Sequence, residues 1–285
     1  NYQKVTNAIQ EAIDYLGMTE GTLLLQNPMA IGVAKNIKYN KFVFDAIDNW
    51  LYHPQMPNKE LIKENYEYVD KNADLIMTVS EALMKTFPNN PNIHWIPNGV
   101  DVDYFAKAKK NFEEGRKVIG YVGKIQDRVD FELVEECLKK FPEEKFIFLG
   151  PIYSQADVVN KLQSQYSNIE FSGDVHYSEL PEAMKEFDIA IIPHKIDQFT
   201  ESMNPLKLYE YLAAGKPVVT TGVAGTSAIS PYVYIAEENK MFVNNLKNVM
   251  VDVSSFSADE IIKSIPDVCQ WDNRKNEMLK LFNEM

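Results

Sequence analysis

One segment in the last third of the sequence places charged side chains at the start of an expected helix. Lys207 and Glu210 are three residues apart, so both side chains project from the same side of that helix. Asn204 suits the residue that caps a helix, and Pro205 suits the first helical position. A cation in the first turn of a helix is unfavourable unless an anion lies nearby. The spacing therefore leaves two interpretations, an anion site or a solvated Lys–Glu pair on a helix surface.

The helix expected at residues 205–214 follows the apolar run Ile189–Ile192, which is typical of a buried strand. In an open parallel sheet, ligands bind beyond the carboxyl ends of the strands. The N–H groups and the dipole at a helix start suit a phosphate group. A lysine beside a diphosphate and a carboxylate beside ribose hydroxyls would together form a nucleotide site. Leu206, Tyr209 and Ala213 are expected to face the sheet.

The rest of the chain alternates short apolar runs with helical stretches, an order that predicts a doubly wound α/β architecture. Several of the runs are continuously apolar, which is typical of parallel strands that are buried on both faces. The predicted strands are Thr22–Gln26, Lys41–Asp45, Leu75–Val79, Ile93–Ile96, Val118–Val122, Lys145–Leu149, Ile169–Phe171, Ile189–Ile192, Pro217–Thr220 and Val233–Ile235. The predicted helices are residues 3–16, Lys59–Asn72, Glu81–Thr86, Phe131–Lys140, Gln155–Tyr166, Leu180–Phe187, 205–214 and 271–285.

A polar, charged stretch at residues 109–116 separates these elements into two sets and is predicted to be a linker. Residues 1–108 are predicted to form a partial N-terminal Rossmann-like domain, and an absent N-terminal portion is expected because this set has few strands and opens on a helix. Residues 117–270 hold enough strands for a complete nucleotide-binding domain. Residues 271–285 are expected to form a final helix that packs back toward the N-terminal domain.

The bulk composition indicates an ordinary globular protein whose charge disfavours polyanion binding. Its 285 residues are 45% hydrophobic and 25% charged, with a formal net charge of −12. Nucleic-acid binding is not expected, because neutralising phosphates needs a basic face, although a small basic patch would still allow peripheral contact with a membrane. Cys137 and Cys269 are isolated, as is typical of reduced thiols in a cytoplasmic protein. No metal-ligand spacing joins the four histidines, which are His53, His94, His176 and His194.

Several motifs, in the same order along the chain, resemble those of the retaining GT-B glycosyltransferases of family 4 (glycosyl transferases group 1). The segment around Lys207 and Glu210 resembles the donor-site signature of that family. The resemblance is carried by EYLAAGKPVV at residues 210–219, Ser80 and Glu81, IPNGVD at 96–101, GYVG at 120–123 and FLGP at 148–151. It is nearest to the branch that builds cell-surface polysaccharides such as teichuronic acids and capsules. A GT-B fold is therefore expected, with two Rossmann-like domains of which the N-terminal one binds the acceptor and is incomplete.

The resemblance assigns donor-binding roles to the segment that precedes and opens the helix. Glu210 matches the second carboxylate of the family's paired acidic motif, which holds the donor ribose. The first carboxylate should lie eight residues earlier, where this sequence has Ser202. Backbone amides of the loop from Ser202 through Met203 and Asn204 to Pro205 are expected to contact the sugar and the diphosphate, as is Lys207. The departure at Ser202 puts the donor sugar and the details of the mechanism in doubt.

The first strands of the second domain are expected to supply the phosphate side of the site. Lys124 occupies the place of a basic residue that follows the glycine turn at Gly123 in the family. An ordinary surface lysine is the alternative, and Arg128 is near the second basic position without being in clear register. Gly123, Gly150, Pro151 and the turn that contains Val175 are expected to line the nucleotide, although each glycine could simply serve a tight turn.

The N-terminal set offers one candidate for handling the acceptor. Asp48 follows a predicted strand, and the resemblance implies a group near this position that faces the acceptor. A carboxylate there could orient or deprotonate the acceptor hydroxyl. Asp45 is a second candidate, and a helix-capping role for Asp48 is the structural alternative.

These features together predict an enzyme that transfers a sugar from a nucleoside-diphosphate sugar, here expected to be a UDP-sugar. The acceptor would be a saccharide or a lipid-linked saccharide in cell-surface polysaccharide synthesis, at the cytoplasmic side of the membrane. The resemblance implies retention of configuration with neither metal nor cofactor, and Asp48, Lys207 and Glu210 as the catalytic residues. The absent first carboxylate leaves a non-catalytic nucleotide-sugar-binding module open, and a UDP-sugar epimerase of the same fold is a further alternative.

Overall fold

The computed structural model describes residues 2–18, 21–222 and 229–285. Contacts between residues divide the chain into two compact units, called unit 1 and unit 2 below. Unit 1 contains the chain up to Pro97, Glu201–Asn204 and Arg274–Met285. Unit 2 contains Asn98–Thr200 and Pro205–Asn273.

Unit 1 is built on a parallel sheet of four strands in the order β1-β2-β3-β4. The strands are β1 (Thr22–Leu25), β2 (Lys41–Ala46), β3 (Leu75–Thr78) and β4 (Ile93–Trp95). The helices before and between them are α1 (Tyr2–Tyr15), α2 (Ile31–Ala34), α3 (Lys59–Asn72) and α4 (Glu81–Met84). Every residue of β3 is buried, as expected of a parallel strand that is covered on both faces. The sheet therefore forms the centre of the unit rather than one of its surfaces.

Unit 2 is built on a parallel sheet of six strands in the order β10-β9-β8-β5-β6-β7. The strands are β5 (Val118–Val122), β6 (Lys145–Leu149), β7 (Ile169–Gly173), β8 (Ile189–Ile192), β9 (Val218–Thr221) and β10 (Val233–Ala236). The helices are α5 (Val102–Phe105), α6 (Phe131–Lys140), α7 (Ala156–Gln165), α8 (Leu180–Met184), α9 (Leu206–Ala213), α10 (Asn239–Asp252) and α11 (Ala258–Lys263).

The strand order of unit 2 is that of a dinucleotide-type Rossmann sheet, in which the chain reverses direction across the sheet between its first and fourth strands. Those strands are β5 and β8, which pair through Ile119 with Ile189 and Gly120 with Ala190. Ligands of such sheets bind outside the carboxyl ends of the strands at this switch point. The topology thus singles out the residues that follow Val122 and Ile192.

The stretch before β5 belongs to unit 2, although the sequence places residues 98–108 with the N-terminal domain and predicts a linker after them. Val100 donates its backbone N–H to the carbonyl oxygen of Cys269 at 2.8 Å, and Phe105 is buried in the core of unit 2. Lys110 forms an ion pair with Asp188 at 2.7 Å, so the charged stretch is held against the unit. The local charge predicts a linker there, whereas the partners of those charges lie in distant parts of the chain.

The last helix, α12, spans Trp271–Glu284. From Arg274 onward it belongs to unit 1, where Met278, Leu281 and Phe282 pack against buried residues of the four-stranded sheet. Among the helices of the described residues, none is long and apolar enough to cross a membrane.

Candidate functional site

A polar cluster lies at the carboxyl ends of β5 and β8, on either side of the switch point of unit 2. It consists of Tyr121 in β5, His194 just after β8 and Lys207 in the first turn of α9. The Lys207 ammonium Nζ lies 2.9 Å from the Tyr121 hydroxyl and 3.5 Å from His194 Nε2. The same nitrogen sits 4.1 Å from the centre of the Tyr121 ring, which is the geometry of a cation–π contact. Lys207 is therefore directed into the switch point instead of lying along the helix surface.

Glycine makes room for this lysine. A Cβ at Gly123 would lie 2.7 Å from Lys207 Nζ, and the φ angle of Gly123 is +136°, a conformation that other residues rarely adopt. The next strand repeats the feature, since Gly150 has a φ angle of +140° and its added Cβ would fall on the carbonyl oxygen of Gly123. These two glycines were expected to line the nucleotide. In the structure they bring two backbone turns and the lysine close together at the same edge of the sheet.

The electrostatics of the cluster favour an incoming anion. Burial and the nearby charge of Arg128 hold the pKa of Lys207 well below its ordinary value, and Glu210 opposes them. Among the described residues, the Lys207 ammonium has no carboxylate within ion-pair distance. A diphosphate placed beside this nitrogen would restore the lost stabilisation and raise its pKa. Of the two interpretations that the sequence leaves open, this environment favours an anion site over a solvated pair of Lys207 and Glu210.

Arg128 is a functional candidate that the sequence analysis does not place in the site. Its charge lowers the pKa values of both Lys207 and His194. The Arg128 carbonyl accepts the N–H of Lys195 at 2.8 Å and ties the loop after β5 to the segment after β8. Comparing sequence positions with the family motif cannot reveal this bond, because Arg128 and Lys195 are distant in the sequence.

Lys124, which the sequence favours as the phosphate ligand, has a different environment. Its side chain is exposed, and its ammonium lies 4.9 Å from the centre of the Tyr153 ring. The neighbouring Pro151 is fixed by its carbonyl, which accepts the Ile125 N–H at 3.0 Å, and Val175 is partly buried against the core. The Lys124 ammonium thus lies against Tyr153, although the Lys124 carbonyl oxygen accepts a hydrogen bond from the Tyr121 hydroxyl of the cluster at 3.4 Å. A role of Lys124 in phosphate binding remains a prediction.

Glu210 lies on α9 one turn after Lys207 and is partly buried. Burial raises the pKa of its carboxyl group, and the charge of Lys207 acts in the opposite direction. Burial and, to a smaller extent, the charge of Glu210 raise the pKa of Tyr177. Tyr177 lies two residues after Val175, so the predicted ribose ligand acts electrostatically on the segment that follows β7.

Nucleotide binding is expected to weaken as the pH falls, starting above the ordinary range of glutamate. If Glu210 binds the ribose hydroxyls as predicted, its ionised carboxylate is the stronger acceptor. Burial raises the pKa of Glu210, so the carboxylate takes up a proton at a higher pH than an ordinary glutamate does. Calorimetric titration of UDP across a pH series would measure this loss of affinity. The matched variant Glu210→Gln should not show the part of the loss that Glu210 causes, while the part caused by protonation of UDP itself is common to both proteins. A loss that persists unchanged in Glu210→Gln would show that another group causes it.

The start of α9 differs from the prediction by one residue. The helix begins at Leu206, and Pro205 is the extended residue before it, with φ −72° and ψ 114°. Asn204 therefore does not cap the helix, and no side chain does so. Of the three residues expected to face the sheet, Tyr209 and Ala213 are buried, whereas Leu206 is exposed and Leu208 is buried in addition.

The loop before α9 is fixed within unit 1. Ser202, Met203 and Asn204 are all buried, and the Ser80 hydroxyl donates to the carbonyl oxygen of Ser202 at 2.6 Å. Ser80 also caps α4 by accepting the N–H of Leu83. The hydrogen bond from Ser80 to Ser202 therefore joins two segments of the family resemblance, the one at Ser80 and the loop before α9.

Unit 1 carries two aspartates at the carboxyl end of β2. Asp45 is buried, accepts a hydrogen bond from the Gln26 amide at 2.7 Å, and has a pKa raised by burial. Asp48 is partly exposed, and its backbone carbonyl accepts the Tyr66 hydroxyl at 3.2 Å. Asp48 is thus the more accessible of the two, while Asp45 is held inside the unit by Gln26.

A search of the part of the chain that the structure describes finds no group of three or more His, Cys, Asp or Glu residues that could hold a metal ion. The comparison with protein families matches residues 116–252 to the family described as Glycosyl transferases group 1. This range covers β5 to α10 and therefore contains the whole cluster around Lys207.

One curated relative is TuaH of Bacillus subtilis (strain 168), a protein assigned as a teichuronic acid biosynthesis glycosyltransferase. The two sequences are 30% identical over 216 residues, which is 69% of this chain and 54% of TuaH. The chain thus spans about half the length of the curated relative that it matches.

Solved structures resemble the chain over nearly its whole length. Sucrose-phosphate synthase from Thermosynechococcus elongatus has a TM-score of 0.77 at 14% identity, covering 99% of this chain and 77% of that one. HepE from Anabaena, solved in complex with UDP and glucose, has a TM-score of 0.71 at 16% identity, covering 100% and 81% of the two chains. TarM has a TM-score of 0.69 at 15% identity, covering 92% and 54%. These likenesses confirm the expected α/β fold of the GT-B type, and residues 116–252 are a glycosyl transferases group 1 domain.

Proposed function

We propose that the protein transfers a sugar from a UDP-sugar to a saccharide or lipid-linked acceptor in cell-surface polysaccharide synthesis. The observation that carries this proposal is the Lys207 ammonium, which Tyr121 and His194 contact at the switch point of a Rossmann sheet and on which the charge of Arg128 acts. The name of TuaH supports the polysaccharide acceptor, and the UDP bound to HepE supports the nucleotide. Such an acceptor would place the reaction at the cytoplasmic face of the cell membrane.

In this proposal the main catalytic effect is electrostatic stabilisation of the departing diphosphate. The bond between the anomeric carbon of the sugar and the diphosphate oxygen breaks, and negative charge grows on that oxygen. Lys207 and Arg128 would meet this charge, and Glu210 would hold the ribose hydroxyls. The backbone at Gly123, Gly150 and the start of α9 would contact the phosphates closely. The acceptor oxygen would bond to the anomeric carbon with retention of configuration, and no metal is invoked.

Asp48 is the proposed carboxylate for the acceptor in unit 1. It is more exposed than Asp45, so an incoming hydroxyl could reach it. A carboxylate that accepts a hydrogen bond from the acceptor hydroxyl would orient it or take up its proton.

A turnover assay with purified protein, a panel of UDP-sugars and short saccharide or lipid-linked acceptors tests this function. Transfer with release of UDP is the expected result, and it should persist when divalent cations are removed by a chelator. Analysis of the product linkage would test retention. The proposal fails if the protein binds UDP but neither transfers nor hydrolyses any donor. The same product analysis detects conversion of the donor sugar to an epimer, which would indicate an epimerase.

A non-catalytic nucleotide-sugar-binding module is the second candidate. The observation that favours it is Ser202, which stands where the family has its first carboxylate and whose carbonyl is engaged by Ser80. Binding without turnover in the assay above would support this candidate.

A further inference from the structure

His194 is a buried polar residue for which neither fold nor proposed function so far provides a role. It follows β8 directly, and its side chain is only 1% exposed. Its ring packs edge-on against Tyr121 with the ring centres 6.1 Å apart. Its backbone carbonyl accepts the Thr221 hydroxyl at 2.7 Å, which fixes the residue in place.

Packing alone does not account for a histidine at this position. Its Nδ1 atom is buried and has no hydrogen-bond partner. Leaving a buried polar atom unpaired costs on the order of 1–3 kcal/mol, whereas a phenylalanine ring would fill a similar space without that cost. An imidazole here therefore needs a compensating contact on its other nitrogen.

The other nitrogen, Nε2, faces the two polar groups of the cluster. It lies 3.4 Å from the Tyr121 hydroxyl and 3.5 Å from the Lys207 ammonium, both near the outer limit of a hydrogen bond. An ammonium can only donate, so Nε2 must be the unprotonated, accepting nitrogen. The ring proton then resides on Nδ1, and the ring is neutral.

A neutral ring also agrees with the charges around it. The charged groups that act on His194 are Lys207 and Arg128, and both are cations. Burial and these two charges lower its pKa well below the ordinary value. A second proton on the ring would face two positive charges without a partner, so the imidazole is an acceptor for Lys207 rather than a further cation.

We propose that His194 is a positioning residue, whose Nε2 and the Tyr121 hydroxyl hold the Lys207 ammonium at the switch point where the diphosphate binds. The inference rests on the proposed function. Lys207 has a long, flexible side chain, and fixing it before the ligand arrives reduces the entropy lost on binding. His194 does not itself touch the ligand, and its effect reaches the diphosphate only through Lys207.

The test compares the affinities of UDP and uridine in three variants of His194, with thermal unfolding as a check of folding. His194→Phe keeps the ring but removes the acceptor, and His194→Asn keeps polarity but is too short to place an acceptor at the Nε2 position. Both should weaken UDP binding roughly tenfold, as expected for a lost hydrogen bond to a charged group, and leave uridine binding unchanged. His194→Gln can place its amide oxygen near the Nε2 position and should bind UDP within about threefold of the wild type.

A double variant shows whether the effect passes through Lys207. His194→Phe combined with Lys207→Met should bind UDP no more weakly than Lys207→Met alone, because the positioned group is already gone. Additive losses in the double variant, or equal losses for UDP and uridine in both His194→Phe and His194→Asn, would overturn the inference. If the wild type binds UDP and all three single variants bind it equally well, the inference fails while the proposed function stands. If the wild type binds no nucleotide, the proposed function fails and the inference fails with it.

Discussion

Replacing Lys207 with methionine is expected to lower the rate constant of sugar transfer by about 10²–10³-fold, the usual effect of removing a group that stabilises transition-state charge. Methionine has a similar length and no charge, so it removes the ammonium without leaving a large cavity. The fold should not suffer, because the buried ammonium has no carboxylate partner among the described residues and its pKa is already held low by burial. The apparent melting temperature should therefore stay the same or rise. Steady-state kinetics and thermal unfolding on the same preparations measure the two effects.

Lys161→Met is the matched control for this variant. Lys161 lies on α7 of the same unit, its side chain is 56% exposed, and it forms a surface ion pair with Glu135 at 3.5 Å. Exposed pairs of this kind contribute at most about 1 kcal/mol, so neither activity nor stability should change much. If Lys207→Met transferred sugar as fast as Lys161→Met, the ammonium would not act on the diphosphate.

Replacing Gly150 with alanine is expected to destabilise unit 2 by about 2–5 kcal/mol, combining backbone strain with a steric clash. The φ angle of Gly150 is +140°, and its new Cβ would fall on the carbonyl oxygen of Gly123. Backbone atoms cannot move aside as a flexible side chain can. Because Gly123 is itself beside Lys207, any displacement should also weaken nucleotide binding. Chemical denaturation and UDP titration would measure the two losses.

Gly173→Ala separates conformational strain from the clash. Gly173 also has a positive φ angle, +77°, but an added Cβ would meet nothing within 4 Å. This variant should cost only about 1 kcal/mol, the penalty for placing alanine in a left-handed conformation. If the two alanine variants had the same free energy of unfolding, the close approach of Gly150 to Gly123 would not add to the cost of the Gly150→Ala substitution.

The strands of both sheets could be predicted from the sequence because parallel strands that are buried on both faces are continuous apolar runs. All four residues of β8 are buried, and its predicted range, Ile189–Ile192, matches the observed one. Helix α10 was not predicted. Its buried residues Phe242, Val243, Leu246 and Val249 are spaced as on one helix face, so the signal was present in the sequence.

The site could be predicted only in part. Local spacing makes Lys207 and Glu210 site candidates because both lie on one short helix, α9. It could not identify Tyr121 and His194 as neighbours of Lys207, since the two are 73 residues apart and meet only because β5 and β8 are adjacent. Metal-ligand spacing among the histidines gives no role to His194. Its place two residues after the buried strand β8 is the signal in the sequence that points to it.

Thermal unfolding of the protein with UDP, GDP, ADP or CMP, beside the Glu210→Ala variant, tests the donor site most directly. A ligand that binds only the folded state stabilises it by roughly 2.7 kcal/mol at 100 times its dissociation constant. We predict stabilisation by UDP that is lost in Glu210→Ala, because this variant removes the carboxylate that we propose as the ligand of the ribose. Stabilisation by none of the four nucleotides, or equal stabilisation of both proteins by UDP, would contradict a nucleotide site at the start of α9.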